Sequence, residues 1–61
     1  MNQEQFNISQ QILRLQSEYA QLSVSAQYEN DLDRLREMMS QRDALVRTVN
    51  ELRSKLNETA S

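Results

Sequence analysis

Apolar residues in the first half of the chain recur at alternating steps of four and three. This spacing is typical of one seam of a coiled coil, in which a helix turns the same face to its partner every seven residues. The residues at these positions are Ile8, Ile12, Leu15, Tyr19, Leu22 and Ala26. Phe6, Leu13 and Ala20 form a second line seven residues apart, which widens the apolar face. We therefore predict a first apolar seam over residues 6–26.

The second half repeats the pattern in a different register, which predicts a second apolar seam over residues 32–58. Its regularly spaced members are Leu35, Met38, Leu45, Val49, Leu52 and Leu56, with Arg42 at the one position where an apolar residue is missing. Leu32, Met39 and Val46 widen this face on one side. A face of this width indicates contact with two neighbouring helices rather than with one.

The two seams do not form one uninterrupted heptad pattern, because continuing the first by sevens places Asp33 at a core position. The register changes within residues 23–31, where Ser25, Asn30 and Asp31 are residue types that begin helices well. Two arrangements satisfy this pattern. One is a continuous helix of about 90 Å with a local change of supercoil, and the other is an antiparallel helical hairpin that reverses within residues 23–31.

The absence of glycine and proline from all 61 residues favours helix nearly everywhere. We therefore predict an all-α fold with a single helical segment, residues 1–61. The expected form is a long amphipathic helix that associates as a coiled coil or helical bundle, with the hairpin as the alternative. The continuous helix is preferred slightly, because turns between helices usually contain glycine or proline. A chain this short is marginally stable alone, so a partner chain is expected.

The composition argues against several classes of function. Without cysteine or histidine the chain lacks the usual nucleophile pairs and the commonest metal ligands, and we predict no enzyme, no metal and no cofactor. The net charge of −2 argues against nucleic-acid binding. No apolar run approaches the roughly 20 residues that span a bilayer, and we expect a cytoplasmic or otherwise intracellular protein.

These features predict a non-enzymatic module for protein–protein interaction. We expect a small structural or adaptor subunit that acts through oligomerisation or by helix pairing in a larger complex. The alternative is a small helical inhibitor or chaperone of one client protein. The residues predicted to form the partner interface are Ile8, Ile12, Leu15, Tyr19, Leu22, Leu32, Leu35, Met38, Met39, Leu45, Val46, Val49, Leu52 and Leu56. Arg42 and Arg53, on or beside the second seam, are predicted to fix register or partner choice.

Overall fold

The protein is a hairpin of two helices, as seen in a computed structural model that describes residues 2–60. Helix α1 spans Gln3–Gln27 and helix α2 spans Leu32–Ala60, and the two pack against each other in antiparallel orientation. Residues 2–60 contain no β-strand, so the predicted all-α class is confirmed. The Cα atoms span 45 × 14 × 11 Å, which is the shape of one layer of two helices.

Helix α1 begins with a reciprocal cap, in which the side chains of Asn2 and Gln5 each accept a hydrogen bond from the other residue's backbone N–H. The side-chain oxygen of Asn2 accepts a hydrogen bond from the backbone N–H of Gln5 at 2.8 Å, and Gln5 Oε1 accepts one from the backbone N–H of Asn2 at 3.3 Å. Two N–H groups that have no partner inside the helix are satisfied in this way. The helix ends at Gln27, and the backbone N–H of Tyr28 still bonds to Ser25 O.

Helix α2 begins at a cap supplied by Asp31, one of the three residues expected to do so. Asp31 Oδ1 accepts hydrogen bonds from the backbone N–H groups of Asp33 at 2.9 Å and Arg34 at 3.4 Å. The carbonyl of Asp31 accepts the N–H of Leu35 at 2.9 Å, as the first bond of a helix requires. Glu29 holds the preceding residue in place, because its Oε1 accepts the N–H of Asp31 at 3.0 Å.

The reversal between the helices takes only residues 28–31 and uses no unusual backbone conformation. Every described residue has a negative φ, and Tyr28 lies at φ −106° and ψ 2°. Polar side chains stabilise this turn in place of glycine or proline. Asp31 caps α2, and Glu29 Oε2 lies 3.7 Å from Arg34 Nε. This explains how the chain reverses without the two residues whose absence favoured a continuous helix.

The chain therefore adopts the hairpin, the alternative in our prediction, and not one continuous helix. Ala26 and Leu35, the last and first members of the two seams, are nine residues apart. At about 100° per residue, nine residues make about two and a half turns. A continuous helix would thus carry its seams on opposite sides, where no single straight partner covers both. The reversal at residues 28–31 turns the two seams toward each other. Residues 1 and 61, the ends of the predicted helical segment, lie outside the described residues.

The core between the helices is thin. Ile8, Ile12 and Val49 are its buried residues, with 6%, 8% and 8% of their surface exposed, and Leu15, Leu52 and Leu56 pack against them in part. No described side chain is less than 2% exposed. A core of this size gives a chain of 61 residues only marginal stability by itself, roughly 3 to 5 kcal/mol.

Candidate interaction surface

Most of the residues predicted to bind a partner lie between the two helices of the same chain. We call this set of contacts the interhelical seam. Its buried and half-buried members are Ile8, Ile12, Leu15, Leu22, Leu35, Met38, Leu45, Val49, Leu52 and Leu56. Leu22 and Leu45 line one hollow together, and Leu22 and Met38 line the next, so the contacts continue toward the turn. The structure thus brings these residues together within one chain.

Arg42 and Tyr19 face each other across the interhelical seam. The guanidinium carbon of Arg42 lies 5.7 Å from the centre of the Tyr19 ring, within the range of a cation–π contact. Arg42 is half-buried, and Tyr19 is slightly more exposed, at 38%. The charged residue in the second seam therefore has an aromatic partner near the middle of the hairpin, and its role in fixing register stays a prediction.

Arg53 lies at a groove along one side of the interhelical seam. The groove has a volume of about 200 Å³ and is lined by Gln16, Tyr19, Leu45, Val46, Val49, Asn50 and Arg53. Gln16 and Asn50 were not predicted as site residues, and the only sequence signal for them is their helical spacing from apolar neighbours. Their amides and the Arg53 guanidinium provide hydrogen-bonding groups beside apolar walls.

The groove identifies one side of the hairpin, on which apolar side chains are exposed. Leu13 and Ala20 lie three residues before and four residues after Gln16, so they share its side of α1. Met39 lies one heptad before Val46 and therefore shares its side of α2. The same steps of seven add one further residue on each helix. We call this surface the apolar face, and it consists of Phe6, Leu13, Ala20, Leu32, Met39 and Val46.

The large side chains of the apolar face are substantially exposed. The exposed fractions are 50% for Phe6, 58% for Leu13, 70% for Leu32, 45% for Met39 and 42% for Val46. Single exposed apolar residues are ordinary, but several on one side form a patch of the kind that marks an interaction surface. Of these residues, Leu32, Met39 and Val46 belong to the interface predicted from the sequence, whereas Phe6, Leu13 and Ala20 do not.

The opposite side of the hairpin is polar. Two hollows on that side are lined by polar residues and by Ala44 and the seam residues Leu22, Met38 and Leu45; the polar residues are Glu18, Gln21, Ser25, Gln41 and Thr48. Arg14 lies four residues before Glu18, and Glu51 lies three residues after Thr48, so both extend the same surface. We call this surface the polar face; its members are Arg14, Glu18, Ser25, Gln41, Thr48 and Glu51, and all are exposed. The two broad sides of the hairpin therefore differ in polarity, and Val24 and Tyr28, 57% and 78% exposed, are further exposed apolar side chains outside both sets.

The described residues hold no group of three histidine, cysteine, aspartate or glutamate side chains placed to bind a metal ion. Within the same residues, one buried side-chain oxygen, Ser23 Oγ, has no hydrogen-bond partner. Ser23 lies seven residues after Gln16, at the edge of the seam beside the apolar face. A single hydroxyl in this position does not form a catalytic constellation.

Neither described helix is both long enough and apolar enough to cross a membrane. The chain matches no protein-family model, and it has no detectable similarity to a curated protein or to a solved structure.

Proposed function

We propose that this protein is a non-enzymatic module for protein–protein interaction that uses the apolar face. It acts as a small structural or adaptor subunit, through oligomerisation or by pairing with helices in a larger complex. The observation that carries the proposal is the contrast between the two sides of the hairpin: Phe6, Leu13, Met39 and Val46 are exposed together, whereas the other side is polar. Covering such a patch removes apolar surface from water, at about 25 cal/mol per Å².

The position of the seam supports the same function. Because the interhelical seam is closed within the chain, its leucines and isoleucines are occupied before any partner arrives. The residues of the apolar face, which recur every seven positions on each helix, contribute little to this seam, and their large side chains remain exposed. These residues therefore supply the surface for a second neighbour, as the width of the sequence pattern indicated.

A small inhibitor or chaperone of one client is the second candidate. The exposure of the apolar face in a hairpin whose own seam is closed favours this candidate too, because such a protein must exist free and leave a usable patch uncovered. The two candidates differ in whether the face is covered permanently or only when a client is present. An intracellular location remains a prediction for both.

The test compares the two faces in one assay. A double variant, Leu13→Gln with Val46→Gln, makes the apolar face polar, and both positions are exposed enough to accept glutamine. The matched control, Arg14→Gln with Glu51→Gln, changes two exposed residues of the polar face and leaves the net charge unchanged. Circular dichroism establishes that both variants remain helical.

Tagged wild type and both variants are then used for affinity capture from the cells that make the protein, with sedimentation of each purified chain alongside. We expect the control to keep every association of the wild type, and the apolar-face variant to lose them. If that variant keeps the same captured proteins and the same oligomeric state as the wild type, the apolar face is not the working surface. An association that is permanent points to the structural role, and one that exchanges with free chain points to the inhibitor or chaperone.

A further inference from the structure

We propose that the groove beside Arg53 binds an acidic helix of another protein. The helix that fits carries a large apolar residue and an aspartate or glutamate four to seven residues apart. This inference rests on the proposed function and names the chemistry of the partner. Three properties of the groove lead to it: the spacing of its lining residues, its unbalanced positive charge and its exposure to solvent.

The lining of the groove combines an apolar wall with a cation at one end. Leu45, Val46 and Val49 form the wall on α2. Arg53 lies four residues after Val49 and seven residues after Val46. At 1.5 Å per residue, Arg53 is therefore about 6 to 10 Å further along α2 than the two valines. A partner that contacts both parts needs an apolar group and an anionic group separated by the same distance.

No carboxylate among the described side chains balances the positive charge of Arg53. Within residues 2–60, no aspartate or glutamate side chain lies within salt-bridge distance of its guanidinium. None of the residues three or four positions away from it on α2 is acidic, and Asp43 is ten residues, or about 15 Å, away along the helix. Glu51 belongs to the polar face, on the opposite side of the hairpin. The guanidinium is therefore available to a carboxylate from outside the chain, which it can bind through two parallel N–H···O hydrogen bonds.

The helix across the groove adds no negative charge to its lining. α1 has three charged residues, which are Glu4, Arg14 and Glu18. The last two belong to the polar face, and Glu4 lies twelve residues, or about 18 Å, before the lining residue Gln16. Arg42, whose guanidinium carbon is 5.7 Å from the centre of the Tyr19 ring, places a second cation close to the lining. The groove is thus locally positive, although the whole chain has a net charge of −2.

The groove is too open to hold a small molecule by itself. Sites for small ligands bury about 70 to 90% of the ligand surface. Of the residues that line this groove, only Val49 is buried and Leu45 half-buried, and the others are exposed. A small carboxylic acid would stay largely in water here, so the occupant needs contacts beyond the groove. A segment of another protein supplies them, because it continues onto the exposed side chains of the apolar face, such as Leu13 and Met39.

A helix is the form of segment that suits this groove. An extended peptide binds by adding a strand to the edge of a sheet, and residues 2–60 contain no strand. A helix satisfies its own backbone hydrogen bonds and needs only side-chain contacts with the groove. On a helix lying along the groove, the distance of about 6 to 10 Å from the valines to Arg53 corresponds to four to seven residues. The partner therefore has an apolar and an acidic residue one to two turns apart, in either order.

The first experiment selects binders from a phage-displayed library of alanine-rich helical peptides, with the full chain as the immobilised target. Compared with the unselected library, we expect the enriched peptides to carry aspartate or glutamate four to seven residues from leucine, methionine or phenylalanine at least threefold more often. With Arg53→Glu as the target, lysine and arginine should replace the acidic residues at these positions, because the charge in the groove is reversed.

The matched control target is Arg47→Glu, which changes the net charge by the same amount. Arg47 is also an exposed arginine of α2, six residues before Arg53 and therefore about 120° around the helix from it. This control should select the same acidic peptides as the wild type. Circular dichroism establishes that both variants remain helical.

The second experiment measures the affinity of one selected peptide by fluorescence anisotropy. Arg53→Gln should raise the dissociation constant about three- to fivefold, since an ion pair at the exposed rim of a groove contributes modestly. Replacing the acidic residue of the peptide by glutamine should have the same effect. Changing both partners should weaken binding no more than changing one, because the two groups act as a pair. Arg47→Gln should leave the affinity unchanged.

A selection that enriches no peptide, an enrichment without acidic preference, or an acidic preference that survives Arg53→Glu would each overturn the proposal. Self-association of the wild type that Arg53→Gln abolishes would also overturn it, since a second copy would then occupy the groove. These outcomes differ from failure of the proposed function. If affinity capture loses a protein with Leu13→Gln and Val46→Gln but keeps it with Arg53→Gln, the interaction module stands and only the acidic partner is wrong. If both variants keep every captured protein and the oligomeric state of the wild type, the proposed function fails, and this inference fails with it.

Discussion

Replacing Arg42 by leucine tests what the charged position in the interhelical seam contributes. The half-buried Arg42 has the Tyr19 ring 5.7 Å from its guanidinium carbon, and no carboxylate among residues 2–60 lies within salt-bridge distance of it. The substitution removes the cation–π contact and completes the line of apolar residues along α2. These two effects act in opposite directions on the free energy of unfolding, so their sizes decide the sign.

The loss is the smaller of the two. A cation–π contact near the surface stabilises by about 0.5 to 1 kcal/mol. Full burial of a leucine stabilises by about 1.5 to 3 kcal/mol, and a half-buried position gives roughly half of that. We therefore expect Arg42→Leu to raise the free energy of unfolding by roughly 0.5 kcal/mol, which in a domain of this size is an increase of about 2 to 4 °C in Tm.

The assay is a double-mutant cycle with Tyr19→Leu, which keeps an apolar side chain and removes the aromatic ring. Urea unfolding of the four proteins is measured at one chain concentration, because association shifts apparent stability. The coupling between the two residues should be about 0.5 to 1 kcal/mol. A coupling below about 0.2 kcal/mol would show that the Tyr19–Arg42 contact does not stabilise the hairpin. A loss of more than about 1 kcal/mol for Arg42→Leu alone would refute the expected sign.

Three further predictions follow from burial and hydrogen bonding. Ile12→Ala should lower the free energy of unfolding by about 2 to 4 kcal/mol, seen by circular dichroism as a large decrease in Tm, whereas Leu13→Ala, one residue along and 58% exposed, should lower the stability of the isolated hairpin by less than about 0.5 kcal/mol. Asp31→Ala removes the cap of α2 and should cost about 1 kcal/mol, seen as a decrease of about 4 to 8 °C in Tm; an unchanged Tm would show that the cap is not needed. Ser23→Ala removes the buried hydroxyl without a partner and should raise stability by about 1 kcal/mol in urea unfolding, and a loss of stability would mean that this hydroxyl is hydrogen-bonded in solution.

The sequence was sufficient to predict the helices and the residues between them, because helical periodicity directly reports which side of a helix is apolar. Ile8, Ile12 and Val49, the buried residues, all belong to the predicted seams. The register change within residues 23–31 was also visible, and the turn lies inside that range. Asp31 was among the residues expected to cap the second helix, and it does.

The direction of the chain after the first helix was harder to predict. The absence of glycine and proline argued for a continuous helix, but Glu29 and Asp31 supply the turn through side-chain hydrogen bonds to the backbone. Helix propensity describes only what each residue prefers locally. The two seams differ by half a helical turn, so they can face each other only if the chain folds back, and this requirement outweighs the local preference for helix. The apolar face was foreseen only in part. Leu13 and Val46 could be placed on one side only after the two helices had been placed next to each other.

The separation of nine positions between Ala26 and Leu35 also means that two residues separate this hairpin from a different architecture. Deleting two residues between these positions would reduce their separation to seven, and the two seams would then join into one heptad series along almost the whole chain. Such a chain would gain a rod-like coiled coil as a competing fold without changing a single apolar residue. The length of the segment between the two seams therefore decides whether the same apolar residues face each other within one chain or line up along one helix.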